Sequence, residues 1–270
     1  MIDHMNTIGE RPVAAQYPWS RGWYWIGEGA QMFFAAPGVW VLLLIMQWLT
    51  YIGLSMLPDA NGLFGTAMSM GVGLAGMVIG VFFEAGQLLG CEAQQRGDTL
   101  NATTLFAAFG HPAAGGLLAL ALIQLVVWAL IAALVVVGVI VVIGTGLSLL
   151  TLDARAMAEV ILGSFAGVMT ISVLVTTLGL LFAMAVWMAL PLVLFRRVAP
   201  LSALAASFGA NLRNVRPLTM YGLGMVTFAI LAVIPLLLGF LVWIPIATTS
   251  RYMAFCDLFP STASVEKQTP

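Results

Sequence analysis

Between Gly115 and Leu152 the chain runs for 38 residues without one Asp, Glu, Lys or Arg. A helix needs about 20 apolar residues to cross a hydrocarbon core about 30 Å thick, so this run can span a bilayer with length to spare. Composition extends the argument to the whole chain. Of 270 residues, 10 are Lys or Arg and 11 are Asp or Glu, and 61% are hydrophobic. Soluble domains carry roughly 25% charged residues, and no soluble interior of this size hides so much apolar surface. A soluble globular domain, a disordered chain and a nucleic-acid binder are excluded. The expected class is all-α, a polytopic helical membrane protein.

The remaining spans follow from the same length rule. The first reads Ala36 to Leu57, with Pro37 at its start and Pro58 past its end, where proline is tolerated. The second begins near Leu63 and meets its first charge at Glu84. The third lies within Gly115–Leu152 and the fourth within Val160–Phe195. The run Leu218–Ser250 is too long for one span, at roughly 50 Å. Pro235 and Gly239 near its middle divide it into two, 217–236 and 239–257; one kinked helix is the alternative. The expected organisation is an N-terminal cytoplasmic segment 1–35, a six-span domain 36–258 and a tail 259–270.

Positive charge sets the orientation. The connections after the first, third and fifth spans hold only Arg155. The opposite side holds Arg11, Arg21, Arg96, Arg196, Arg197, Arg213, Arg216, Arg251 and Lys267. Both termini are therefore expected in the cytoplasm, with the protein in a bacterial inner membrane. The first 30 residues contain no continuous apolar stretch of a cleavable signal, so the first span is expected to act as its own. Cys91 and Cys256 then both face the reducing side, which disfavours a disulfide. With a net charge of −1, no basic surface argues for nucleic acid or for strong capture of anionic lipid.

Three further segments are amphipathic at helical spacing and are expected as interfacial helices on the cytoplasmic side. The first aligns Trp19, Trp23, Ile26, Ala30 and Phe33; the second Ala102, Leu105, Phe106 and Phe109; the third Leu201, Leu204, Ala205, Phe208 and Leu212. Asp98 and Ser202 are the expected N-caps of the last two. Each ends near a proline (Pro37, Pro112, Pro217) and leads into a span, a weak repeat of unequal period.

Chemistry-bearing residues are few. Glu84 follows Gly76 and Gly80 on one ridge, and Gln87 is one turn further. Gly76-x-x-x-Gly80 is a small-residue packing motif, repeated in Gly86-x-x-x-Gly90 and Gly163-x-x-x-Gly167. Two readings of Glu84 stay open: an ion, proton or substrate site shared with Gln87, or a carboxylate at the far edge of the hydrocarbon, about 31 Å along its helix. Arg96 follows Glu92 at the spacing of a helical ion pair. Gln47, Gln124, Thr170, Ser172, Thr176 and Thr177 are polar positions inside spans, expected to bond within or between helices. His4 and His111 offer no paired haem ligands, and no metal, nucleotide or nucleophile motif is present, so no cofactor, metal or catalytic residue is expected.

Gly22-Trp23-Tyr24-Trp25, then Arg96-Gly97-Asp98 before Leu105-Phe106-Ala107-Ala108-Phe109, then Arg251-Tyr252 and Asp257-Leu258-Phe259, carry a resemblance over nearly the whole chain. It resembles a family of uncharacterised proteobacterial inner-membrane proteins with about six spans. More distantly it is similar to the membrane domain beside some glycerophosphodiester phosphodiesterases. The likeness implies topology and no activity, because the family has no agreed function; with no soluble phosphodiesterase domain in this sequence, that enzyme's chemistry does not transfer. The expected role is a non-enzymatic accessory or organising component of a membrane complex, partnered by the bilayer and by another membrane protein or its own copies. The alternative is a transporter or channel for a small or lipid-like solute using Glu84.

Overall fold

The computed structural model describes residues 14–57, 62–148 and 153–260. Within them every regular element is a helix: α1 (Arg21–Ala35), α2 (Pro37–Ser55), α3 (Gly62–Gln95), a 3-10 helix (Ala102–Gly110), α4 (Ala114–Ser148), α5 (Ala154–Arg196), α6 (Pro200–Arg213), α7 (Val215–Val233) and α8 (Phe240–Leu258). The order is one short helix followed by two long ones, three times over. The repeat seen in the prolines is thus present in the element order. Arg11, His4 and Lys267 lie outside the described residues, as does nearly all of the expected tail 259–270.

Five helices are long and apolar enough to cross a membrane: α2, α3, α4, α5 and α7. Pro37 opens α2 at its first turn, and Ala36, with φ −148° and ψ 54°, separates it from α1. The run Leu218–Ser250 is two helices rather than one kinked helix. Leu236 and Leu237 take left-handed φ of 52° and 69° in the turn between α7 and α8. Gly239 closes that turn because a Cβ there would collide with Ala232.

Two expected caps are corrected. Asn101, not Asp98, caps the 3-10 helix: its side chain accepts from Thr103 N at 3.0 Å and Thr104 reciprocates in a capping box. Asp98 directly follows the left-handed Gly97, just past the end of α3 and four residues before the 3-10 helix begins. Ala199 precedes α6 with no side-chain cap, and Pro200 supplies its first turn, leaving Ser202 inside the helix.

Residues 14–121 and 185–260 form one compact unit and 122–184 another. In the first, the interior is filled by Trp25, Phe33, Trp40, Phe83, Leu105 and Met188, all nearly or fully buried. α1 lies along α7 and α8, with Gly22 against the Pro217 carbonyl and Gly29 against Ser250. The second unit holds α4 from Leu122 onward and α5 up to Met184, joined by Trp128 on Phe182 at 5.9 Å and by Gly138 against Ile171. Its α4 window has a mean hydropathy of 3.3. A helix that is apolar on every side has lipid, not water, as its solvent.

The faces that α1 and α6 bury within the protein are not the apolar stripes expected to meet the membrane interface: of the α1 stripe Ile26 and Phe33 are buried, and of the α6 stripe no residue is fully buried. On α1 the buried face is Gly22, Trp25, Ile26, Gly29, Met32 and Phe33, while Trp19 and Trp23 are exposed. On α6 it is Ala203, Ala206, Ser207, Ala210 and Asn211, while Leu201 and Leu212 are exposed. Small residues let backbones approach, and lipid accepts the large ones. The second segment departs for another reason. In a 3-10 helix residues three apart eclipse, so Leu105 and Ala108 are buried on one ridge. Phe106 and Phe109 form another, set against Phe82 and Phe83.

Candidate functional site

Polar residues of α2, α3 and α8 converge where α3 meets α8. Glu84 and Gln87 are one turn apart on α3; Thr248 and Arg251 are one turn apart on α8. Arg251 Nη1 is ion-paired with Glu84 Oε1. Its Nε donates to the Trp187 carbonyl, on α5, at 2.6 Å. The Glu84 side chain is 41% exposed and that of Arg251 10%. Arg251 Nη2 is buried without a hydrogen-bond partner.

The second rung is uncharged. Gln87, buried, donates from Nε2 to Gln47 Oε1 at 2.6 Å and accepts from Thr248 Oγ1 at 3.2 Å. Gln47 Nε2 donates to the Tyr51 hydroxyl at 3.3 Å. Four side chains thus link α2, α3 and α8 in one chain of hydrogen bonds, each satisfied inside the protein, as lipid requires. Beyond it, Gln94 accepts from Trp40 Nε1 at 3.0 Å and donates to the Met32 carbonyl at 2.7 Å, while Tyr252 donates to Gln95 at 2.8 Å.

A second cluster ties the first helix to the last. Asp257 Oδ2 accepts from Arg21 Nε at 2.5 Å and from Trp25 Nε1 at 2.7 Å. Arg21 also pairs with Glu28 at 3.1 Å. Asp257, bonded to the guanidinium, raises the Arg21 pKa. Burial first, and then the Asp257 charge, raise the Tyr17 phenol against an opposing effect of Arg21. Asn214 holds the segment before α1, accepting from Tyr17 N at 3.0 Å and donating to the Ala15 carbonyl at 2.9 Å.

The structure therefore brings Glu84 and Gln87 into one polar seam; it bears out Gln47 as a residue bonded between helices, and it adds two groups that sequence reasoning missed there, Arg251 and Thr248. Arg251 was counted among the orienting charges. The available signal was its place inside 239–257: an isolated cation in one span and an isolated carboxylate in another call for each other.

The glycines are redistributed. A Cβ at Gly163 or Gly167 would meet nothing within 4 Å, and one at Gly76 only Leu54 Cδ1 at 3.9 Å. One at Gly80 would meet the Tyr51 hydroxyl at 2.8 Å, a side chain rather than a backbone. Within the chain these four are not points of close helix approach. Gly86 is one, pressed against the Leu105 carbonyl, together with Gly22 and Gly29. In α5, Ser164 and Thr170 bond back to carbonyls of their own helix at 2.6 and 2.8 Å. Glu92 and Arg96 form their expected pair at 2.5 Å. The His111 ring nitrogen accepts from Ala113 N, and Cys91 and Cys256 are free thiols. Among the described residues no group of three His, Cys, Asp or Glu could hold a metal.

Compared with known families, curated proteins and solved structures, the chain matches none. What the fold itself defines is a class: an all-helical chain with five helices fit to cross a membrane.

Proposed function

We propose that this is a six-span protein of the bacterial inner membrane, with α8 as the sixth span and both termini in the cytoplasm. It acts as a non-enzymatic component that organises or assists a membrane complex. The topology rests on the charge asymmetry and on the resemblance to the proteobacterial six-span family. The role rests chiefly on one observation: Glu84 is engaged by Arg251, which also holds the Trp187 carbonyl, so this carboxylate joins α3, α5 and α8. A group spent on holding helices together is not free to carry a proton or an ion. The apolar surface of α4 and α5 is the part left to meet lipid or a partner.

The test is to extract chromosomally tagged protein into native lipid particles and identify what accompanies it. A stoichiometric protein partner supports the accessory role and assigns the function through that partner. A particle holding only this chain and a specific solute refutes it. The second reading is transport of a small or lipid-like solute through the seam. It is favoured by the exposed side of Glu84 and by the unpartnered Arg251 Nη2. Glu84→Gln keeps an acceptor for Arg251 but no titratable proton. Loss of proton-linked flux in vesicles with that variant would establish transport, and unchanged cellular function would support the accessory role.

A further inference from the structure

α6 presents two opposite faces. Ala203, Ala206, Ser207, Ala210 and Asn211 are buried against the body of the protein; there Ser207 Oγ accepts from Met188 N at 2.9 Å. The other side carries Leu201, Ala205, Phe208 and Leu212. At 100° per residue these four fall within about 60° of one another, a single stripe along the helix. Leu201 is 71% exposed and Leu212 55%.

Charge brackets this stripe. Arg196 and Arg197 stand just before α6, Arg213 ends it and Arg216 follows, and all four are exposed. The sequence has no Asp or Glu between Glu159 and Asp257. None of the four arginines pairs with a carboxylate among the described residues: Arg196 Nη2 donates to the Phe259 carbonyl at 2.7 Å, and the nearby Asp257 is occupied by Arg21 and Trp25. The chain is nearly neutral overall, yet this corner is a strip about 21 Å long with exposed leucines between cations that no carboxylate among the described residues compensates.

We infer that α6 is a docking surface for the headgroups of anionic phospholipids. Leu201, Ala205, Phe208 and Leu212 enter the acyl boundary, and Arg197, Arg213 and Arg216 engage the phosphates. Charge complementarity selects this occupant. Guanidinium groups bind phosphate oxygens with paired hydrogen bonds, whereas a zwitterionic surface gives the cations no net attraction. Each basic residue at an anionic surface strengthens binding about fivefold, so three free arginines discriminate by about tenfold or more even when only partly engaged.

The test uses the full chain, purified in mild detergent, stripped of lipid and offered equal amounts of phosphatidylglycerol and phosphatidylcholine. Native mass spectrometry then counts what stays bound. The expected result is retention of phosphatidylglycerol over phosphatidylcholine by about tenfold or more, falling as salt is raised. The triple variant Arg197→Gln, Arg213→Gln, Arg216→Gln should bring the ratio near parity, whereas Arg155→Gln, at the other end of α5, should leave it unchanged. Should the triple Gln variant not fold, the triple Lys variant must keep the preference, because it keeps the charge. Parity in the unmodified protein overturns the inference. So does preference surviving the Gln variant, or loss with Lys. Displacement of the lipid by an equal amount of inorganic phosphate also overturns it, since the surface would then be a free-anion site.

Discussion

Replacing Gly29 by alanine tests how α1 is held. A Cβ at Gly29 lies 2.5 Å from the Ser250 backbone nitrogen, 2.6 Å from its Cα and 2.7 Å from its Cβ. Ordinary contacts are about 3.5–4.0 Å, so α1 and α8 must separate by about 1 Å. The hydrogen bond from Thr249 Oγ1 to the Gly29 carbonyl is 2.8 Å long, and the same displacement carries it out of bonding range. Overpacking costs about 1–3 kcal/mol, and a lost interhelical hydrogen bond about 0.6–1 kcal/mol. The better helix propensity of alanine returns about 1 kcal/mol. The net expectation is a loss of about 1–3 kcal/mol. Gly163→Ala is the matched control. Nothing lies within 4 Å of its new Cβ, so the propensity gain acts alone and stability stays level or rises by up to about 1 kcal/mol. Both variants are unfolded by SDS titration in mixed micelles and followed by far-UV circular dichroism. Equal stabilities, or a larger loss at Gly163, would refute the reasoning.

Glu84→Leu should destabilise by about 1–3 kcal/mol, less than a fully buried pair because Glu84 is partly exposed; Arg251→Met in the same chain should restore most of the loss, measured in the same titration. Trp25→Phe removes the 2.7 Å bond to Asp257 and should cost about 2–3 kcal/mol, whereas Tyr24→Phe, at an exposed position, should stay within about 0.5 kcal/mol. The Tyr17 phenol is raised on folding, so its stabilising contribution is present below the unfolded tyrosine value of about 10 and is lost as pH rises through the folded value. Thermal scans should show a shallower alkaline decline in Tyr17→Phe; an unchanged slope there would remove Tyr17 as the cause.

The helices were legible because length and proline position act locally. Pro37 marks the start of α2, and Pro235 with Gly239 marks the turn between α7 and α8. The faces by which α1 and α6 pack within the protein were not. In water the large apolar residues must point inward, but a bilayer removes that rule and small residues decide where backbones meet. Trp23 and Leu201 point outward for this reason, while Gly22 and Ala203 point inward. The same limit applies to the glycine motifs. Spacing marks Gly163 and Gly86 alike, yet only Gly86 meets a backbone, at Leu105. Glu84 and Gln87 could be singled out as rare polar groups. Their partners Arg251 and Gln47 come from other helices, and no local pattern records such a pairing.

The placement of partners on α8 has a consequence for how the chain is made. Thr248, Thr249, Arg251 and Asp257 serve α3, α1, α3 and α1 respectively, and all of them leave the ribosome after the helices they serve. Until then Glu84 lacks its counter-ion, and α1 waits for the helix it packs along. Assembly of this unit therefore waits for α8, however early the other helices form. A truncation before α8 would leave the earlier helices inserted with their polar groups exposed to lipid, a form that membrane quality-control proteases can recognise.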